Sequence, residues 1–357
     1  MFLRRLWLTD YRSHRLVDLT LAEGVTVIRG PNGSGKTNLA EAICFSATLS
    51  SFRGSPVDAL IRIGADAAVV RAETVREGRE HLIEIEVPRH GRTRAQLDRN
   101  RVARRSDLAE GLVVSVFAPD DLELVKGGPN ERRRLLDETL TDLSVRHAAV
   151  VVEVDRILRQ RNALLRGVGG RLDDASAATL DIWDLRLAES GSRLSWLRSR
   201  LVDEVLPVVT DAYERLTDGV GVVELDMSSS WSGELSDALV AARTDDVRRN
   251  TSTVGPHRDD LLVTLNGMPA RTHASQGEQR SVALALRLGA HALLSDRLGA
   301  SPVLVLDDVF SELDAGRSAA LLGALPPGQV LITSAAGVPA GSRPDQVLDI
   351  DEIVGSG

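Results

Sequence analysis

Gly30-Pro31-Asn32-Gly33-Ser34-Gly35-Lys36-Thr37 fits the pattern G-x-x-x-x-G-K-[ST] at every fixed position. Before it, Val25-Thr26-Val27-Ile28 is a short β-branched run that reads as a buried strand. After it, Asn38-Leu39-Ala40-Glu41-Ala42-Ile43 opens a helix. Strand, glycine loop, helix is the context that separates a phosphate loop from a chance Gly-rich turn. The glycines let the backbone wrap a phosphate chain that a Cβ would push away. The freed N–H groups and the positive end of the helix then face the anion. Lys36 has the reach for β- and γ-phosphates, and the Thr37 hydroxyl is a hard oxygen ligand suited to Mg²⁺. The stretch therefore implies a nucleoside-triphosphate site.

Working outward, 357 residues can bury a sizeable core and hold two or three domains. Hydrophobic content of 43% beside 26% charge implies a globular chain rather than a disordered one. The single Cys44 excludes an internal disulfide or a cysteine metal cluster and suits a buried apolar role in the helix after the loop. Met1-Phe2-Leu3-Arg4-Arg5-Leu6-Trp7 develops no apolar run of the signal-peptide kind, and no stretch of about eighteen apolar residues follows. No membrane association and a cytoplasmic location are the expectations. A net charge of −8 argues against wholesale coating of nucleic acid, although net charge hides local stripes. Lys36 and Lys126 are the only lysines, so the positive charge is almost all arginine.

Residues 3–8, 16–21 and 25–28 read as strands of a meander leading into the loop. Residues 67–75 and 82–87 read as an antiparallel pair joined at Glu77-Gly78. Between Arg89 and Arg105 lie seven arginines with only Asp98 opposing them. Arg92, Arg94, Arg99 and Arg101 are DNA-phosphate candidates on a hairpin; a solvated edge hairpin explains the same charge. No aromatic residue interleaves, so stacking of bases is not expected there. Residues 131–166 and 176–216 have helical spacing, separated by a Gly/Asp-rich break, with Pro207 expected to kink the second stretch. They read as an antiparallel helical arm. A strand at 220–227 and a helix at 234–249 follow. Mixed character returns at Thr251, with a hairpin at Asn266-Gly267, a helix from Gln276 and apolar strands at 303–306 and 329–332. The expected fold is α/β, a nucleotide-binding head of residues 1–130 and 251–357 interrupted by a mainly α-helical insertion of residues 131–250.

The natural complement of the phosphate loop is Val303-Leu304-Val305-Leu306-Asp307-Asp308. A buried apolar strand delivers two carboxylates at its C-terminal end, where α/β sheets place ligands. Asp307 is the expected Mg²⁺ residue with Thr37, and Asp308 the group that orients or deprotonates an attacking water; Asp308 and Lys36 are the catalytic candidates. Ser275-Gln276-Gly277-Glu278-Gln279 stands at a helix start, with Ser275 and Glu278 spaced as a capping box.

Phosphate loop, serine-containing helix start and acidic strand, in that order, resemble the ATP-binding-cassette head. In that family the signature serine of one subunit, here Ser275 with Gln276, Gly277, Glu278 and Gln279, closes over ATP held by the other. Ser311-Glu312-Leu313-Asp314 resembles the loop crossing the dimer interface, with Asp314 its interface residue. Glu278 stands where transporter subunits carry a second glycine, and an insertion interrupts the head; both are similar to the repair and chromosome-maintenance branch. Within it the chain resembles the RecF family of recombination mediators. The strings that carry this are Asp10-Tyr11-Arg12, Gly33 to Ala42, Ser51-Phe52-Arg53, Phe117-Ala118-Pro119-Asp120-Asp121-Leu122, Gly128-Pro129 with Arg132-Arg133, Gly255-Pro256-His257-Arg258-Asp259-Asp260 and Leu306-Asp307-Asp308-Val309. They keep their order from end to end of the chain. Departures are a Thr333-Ser334 pair where a switch histidine stands in other heads, and Asp308 in place of a glutamate. Arg53 matches the place of an active-site arginine in chromosome-maintenance heads.

The resemblance implies a weak ATPase that uses ATP and Mg²⁺ as a switch and forms a homodimer on ATP. It also implies binding to duplex DNA and single-strand/duplex junctions, and joint action with RecR and RecO to place RecA on gapped DNA. A transporter subunit and a chromosome-tethering rod are the rival classes. The insertion of about 120 residues is too short for a rod, and Glu278 counts against the transporter.

Overall fold

The structure, a computed structural model, describes residues 1–102 and 104–355. Its strands in chain order are β1 (Phe2–Tyr11), β2 (His14–Thr20), β3 (Val25–Arg29), β4 (Ala67–Arg76), β5 (Arg79–Pro88), β6 (Arg94–Leu97) and β7 (Asn100–Arg101). They continue with β8 (Val114–Phe117), β9 (Val223–Ser228), β10 (Asp260–Leu265), β11 (Met268–Pro269), β12 (Val303–Asp307), β13 (Val330–Ser334) and β14 (Gln346–Asp349). The chain divides into two compact units: Met1–Leu122 with Val208–Gly221 and Arg280–Gly357, and Glu123–Pro207 with Val222–Gln279.

In the first unit a five-stranded parallel sheet runs in the order β14-β3-β13-β12-β8. Every residue of β12 and β13 is buried, as a parallel strand covered on both faces requires. A six-stranded antiparallel sheet, β2-β1-β4-β5-β6-β7, forms the second layer. The helix Lys36–Thr48 packs in one core with residues of both sheets. Leu39, Ile43 and Phe45 of this helix are fully buried beside Leu6, Val70 and Ile83 of the antiparallel layer and Val305 and Leu331 of the parallel one. Covered from both sides, it buries every residue from Leu39 to Ala47 rather than one stripe. Each of those large side chains contributes roughly 1.5–3 kcal/mol of burial free energy.

The meander expected over residues 3–28 is not what forms. β1 and β2 pair antiparallel, but β3 leaves them and inserts between β13 and β14 of the parallel sheet. A short apolar run fits a meander strand and a buried parallel strand equally well, and the partner more than 300 residues away decides which it becomes. The hairpin at Glu77-Gly78 forms with β4 and β5 fully paired.

The second unit carries helices Pro129–Leu143 and Val145–Gly167, separated at Ser144, whose hydroxyl accepts the N–H of Arg146 and caps the second. The helix Asp174–Thr217 is continuous through Pro207 and enters the first unit after it. A three-stranded antiparallel sheet, β11-β10-β9, completes the unit, with β10 paired to β9 along six residues. Beside its helices the second unit, Glu123–Pro207 with Val222–Gln279, thus holds three short strands. Its polar centre is Arg161, fully buried: Nε donates to Asp184 Oδ1 at 2.7 Å, Nη1 donates to Ser252 Oγ at 2.8 Å, and Asp246 Oδ2 lies 2.7 Å from Nη1.

Candidate functional site

β3 and β12 flank β13 and run parallel to it, so the loop after β3 and the carboxylates that end β12 both lie at the C-terminal end of the sheet's strands. The loop is pinned at its start by the Gly30 N–H donating to the Ser334 carbonyl at 3.3 Å, and by the Ser34 hydroxyl donating to Pro31 O at 2.8 Å. Gly35 sits at φ +103° as the residue before the helix. A Cβ there would meet the His14 ring at 2.7 Å, so backbone angle and space both demand glycine. His14 is buried beneath the loop with Nε2 3.1 Å from the Gly35 carbonyl, and burial lowers its pKa.

Lys36 is 5% exposed, and its Nζ donates to Gly30 O at 2.7 Å and Pro31 O at 2.8 Å, which curls it over the loop. The Thr37 hydroxyl donates to Asp307 Oδ1 at 3.1 Å, and the Thr333 hydroxyl donates to the same oxygen at 2.7 Å. Burial between the strands lifts the pKa of Asp307, partly offset by those two hydroxyls. Asp308 turns away from the strand in the left-handed region at φ +50°, its N–H donating to the Thr333 carbonyl at 3.2 Å. Its Oδ1 accepts the Ala335 N–H at 3.3 Å. Asn32, Gly33, Gly35, Lys36, Thr37, Asn38, Arg53 and Asp308 line one cleft. The fold thus brings together the loop, Lys36, Thr37, Asp307 and Asp308, the residues read from sequence as one constellation.

The donor set suits Mg²⁺: one hydroxyl and one buried carboxylate share a hydrogen bond, and the rest of an octahedron is left to phosphate oxygens and water. No group of three or more His, Cys, Asp or Glu side chains that could cage a metal occurs among the described residues. Such a site holds its ion jointly with a phosphate ligand rather than alone.

Two sequence candidates carry structural duties as well. Ser275 and Glu278 form the expected capping box, the Ser275 N–H donating to Glu278 Oε2 at 2.7 Å and the Glu278 N–H donating to Ser275 Oγ at 3.3 Å. Gln279 is buried, its amide donating to the carbonyls of Ala270 at 3.1 Å and Arg271 at 3.0 Å. These residues lie in the second unit, and Ser275 and Gln276 are exposed. Asp314 caps the helix Ala315–Ala324 by accepting the Arg317 N–H at 2.8 Å. The arginine hairpin is real, turning at Asp98 and Arg99, both at positive φ. Arg92, Arg94, Arg99 and Arg101 are all exposed, and Arg94 is paired with Glu86 at 3.0 Å.

Sequence reading missed Thr333, noted only as a threonine where a histidine was sought. It also missed the buried pair of Arg12 and Glu41, in which Nε donates to Oε2 at 2.7 Å and Nη2 donates to Oε1 at 2.6 Å. Arg12 lies in the string Asp10-Tyr11-Arg12, so a signal existed there; nothing local distinguishes Glu41 from an ordinary helix former.

A parallel sheet with a phosphate loop on β3, an Mg²⁺-type pair at β12 and an insertion between the two define an ATP-binding-cassette-type ATPase head. Residues 2–336 match the family of RecF/RecN/SMC N terminal domains. The Smc head domain of Pyrococcus furiosus bound to the C-terminal domain of ScpA shares the fold, with a TM-score of 0.53 at 17% identity over 94% of this chain and 89% of its own. The recombination mediator protein RecF-ATP in the RecFOR pathway is nearer, with a TM-score of 0.86 at 27% identity over 98% of this chain and 96% of its own. The DNA replication and repair protein RecF of Streptomyces avermitilis is 42% identical over 365 residues, 96% of this chain and 97% of its own. The chain belongs to the RecF family of DNA replication and repair proteins. Among the described residues no helix is long and apolar enough to cross a membrane.

Proposed function

We propose that this chain is an ATP-switched DNA-binding repair protein that dimerises on ATP, grips duplex or gapped DNA, and resets by slow hydrolysis. The observation that carries this is the Thr37–Asp307–Thr333 cluster, joined through Thr37 to the cleft that Lys36 and Asp308 also line, an arrangement suited to a metal-bound phosphate. Bound Mg²⁺ would supply charge neutralisation at the phosphates, and Thr37 and Asp307 would hold it. Lys36 and the loop N–H groups hold the phosphate chain in place. Asp308, turned out of the strand and half-buried, orients water at its free carboxylate oxygen.

Ser275 with Gln276 to Gln279 is assigned to the ATP of a second copy, with Asp314 at the interface. ATP then favours the dimer because it touches both subunits, and only such differential affinity shifts an equilibrium. Light scattering tests this. Mass doubles on adding ATP and Mg²⁺ to the wild type and stays monomeric for Ser275→Arg. Because Ser275 also caps its helix, worth about 1 kcal/mol, the variant is compared at matched thermal stability. A mass indifferent to nucleotide in the wild type would leave the ATP site standing and remove the dimer switch.

DNA is assigned to the arginine hairpin. Arg92→Ala with Arg94→Ala is expected to lower the salt slope of duplex binding by roughly 0.9, the share of one contact rather than two, since Glu86 already balances Arg94. An unchanged slope would move the DNA surface elsewhere in the chain. The RecFOR naming of the structural relative supports RecR and RecO as partners; loading of RecA on gapped DNA is the outcome this reading assigns to them.

A further inference from the structure

The rim of the phosphate cleft is not accounted for by the loop and the two carboxylates. Arg53 is exposed there, its Nη1 donating to Asn38 Oδ1 at 3.4 Å, and both residues line the cleft with Lys36, Thr37 and Asp308. Its charge is felt at Asp307. Yet Arg53 belongs to residues 49–56, which form neither helix nor strand. A long side chain on such a segment needs something to hold its backbone if it is to meet a phosphate in one geometry.

That support is Ser51. Its hydroxyl accepts the N–H of Arg53 at 3.1 Å and the N–H of Ser55 at 3.4 Å, and it donates to Glu41 Oε1. Glu41 is fully buried in the helix Lys36–Thr48, one turn beyond Thr37. Arg12 grips its carboxylate through two hydrogen bonds and donates from Nη1 to the Ala59 carbonyl at 2.9 Å. A buried carboxylate is tolerated only when paired and hydrogen-bonded; Arg12 supplies that pairing, and Oε1 also accepts the Ser51 hydroxyl. Arg12 is consumed by this pairing, whereas the Arg53 guanidinium makes only the one long contact to Asn38 among the described residues. Lys36 and Thr37 stand on the same helix as Glu41, so the chain Glu41–Ser51–Arg53 ties the arginine to the element that carries the phosphate loop.

We propose that Glu41 and Ser51 are positioning residues for ATP hydrolysis, with the Arg12-held carboxylate aiming the Ser51 hydroxyl that fixes the Arg53 backbone and so presents its guanidinium to the phosphates. This rests on the reading of the cleft as the ATP site. Glu41 itself is a poor test, because its removal strands Arg12 and threatens folding. Ser51→Ala removes one hydroxyl from a half-buried position.

The experiment compares the wild type with Ser51→Ala, Ser51→Thr, Arg53→Ala, the Ser51→Ala/Arg53→Ala double variant and Lys36→Ala. Phosphate release gives kcat, a methylanthraniloyl-ATP titration gives nucleotide affinity, and a melt gives Tm. Ser51→Ala is expected to lower kcat about tenfold, as a small misplacement of a catalytic group does, with affinity and Tm held. Ser51→Thr restores the rate. Arg53→Ala loses more, and the double variant loses no more than Arg53→Ala alone, because Ser51 acts only through it. Additive losses, or a Ser51→Ala effect seen only in affinity or Tm, overturn the proposal. If Arg53→Ala is silent while Lys36→Ala fails to turn over, the proposal falls and the ATP site stands. If Lys36→Ala also hydrolyses normally, both fall.

Discussion

Lys36→Ala is expected to slow ATP turnover by roughly 10²–10³, the cost of removing one preorganised electrostatic group from a transferring oxyanion, or about 2.7–4 kcal/mol of barrier. The structure gives this substitution an unusually clean meaning. Among the described residues Lys36 donates to the carbonyls of Gly30 and Pro31 alone, both in its own loop, so its removal breaks no hydrogen bond to another element. Gly30 is half-buried and Pro31 exposed, so water can satisfy both carbonyls. It is also the lone lysine of the first unit, since Lys126 falls in the second, so no neighbouring lysine substitutes for it. Phosphate release should collapse while the melting temperature holds. Unchanged turnover would show that the phosphates do not lie against this loop.

Arg161→Leu is expected to cost about 3–5 kcal/mol of stability, on the order of 10 °C in the melt of the second unit. The expected loss comes less from the pairs broken than from what is left behind. Asp184 keeps Arg243, whose Nη2 donates to Oδ2 at 2.6 Å. Asp246 is fully buried and loses the one cation paired with it among the described residues, retaining the N–H and hydroxyl of Thr253 at 2.7 and 2.6 Å. Adding Asp246→Leu to Arg161→Leu should recover part of the loss, since a buried charge without a partner is worse than none. Circular dichroism melts of the three proteins check this; a double variant less stable than Arg161→Leu alone would assign the cost to packing instead.

What could be read from sequence follows from how local each signal is. The phosphate loop, Lys36 and Thr37 lie within one strand–turn–helix, and β12 announces itself as an apolar run ending in Asp307 and Asp308. Each is a contiguous pattern with a stated chemistry, and the fold places them together. Thr333 escaped because one threonine at a strand end has no signature; its meaning lies in Asp307, 26 residues earlier. Glu41 escaped because its partner Arg12 is 29 residues away and a glutamate in a helix needs no explanation. In the small sheet of the second unit the strand over 220–227 and the hairpin at Asn266-Gly267 were legible, but their pairing was not, since β9 and β10 are brought together only after a helix has intervened. β3 was found as a strand and placed in the wrong sheet, because its neighbours β13 and β14 come from the far end of the chain.

That last pairing bears on how the protein is made. The strand before the phosphate loop spans Val25–Arg29, yet its partners are Val330–Ser334 and Gln346–Asp349. During synthesis, at roughly 5–20 residues per second, the loop leaves the ribosome long before the strands that shape it. Until they arrive β3 is an apolar segment with both edges open, a state in which chains of high contact order are slow to fold and prone to associate wrongly. A nascent chain stopped before β13 holds the whole nucleotide motif in its sequence and has no sheet to mount it on. A chain that ends before residue 330 is therefore expected to bind no nucleotide, however complete its loop.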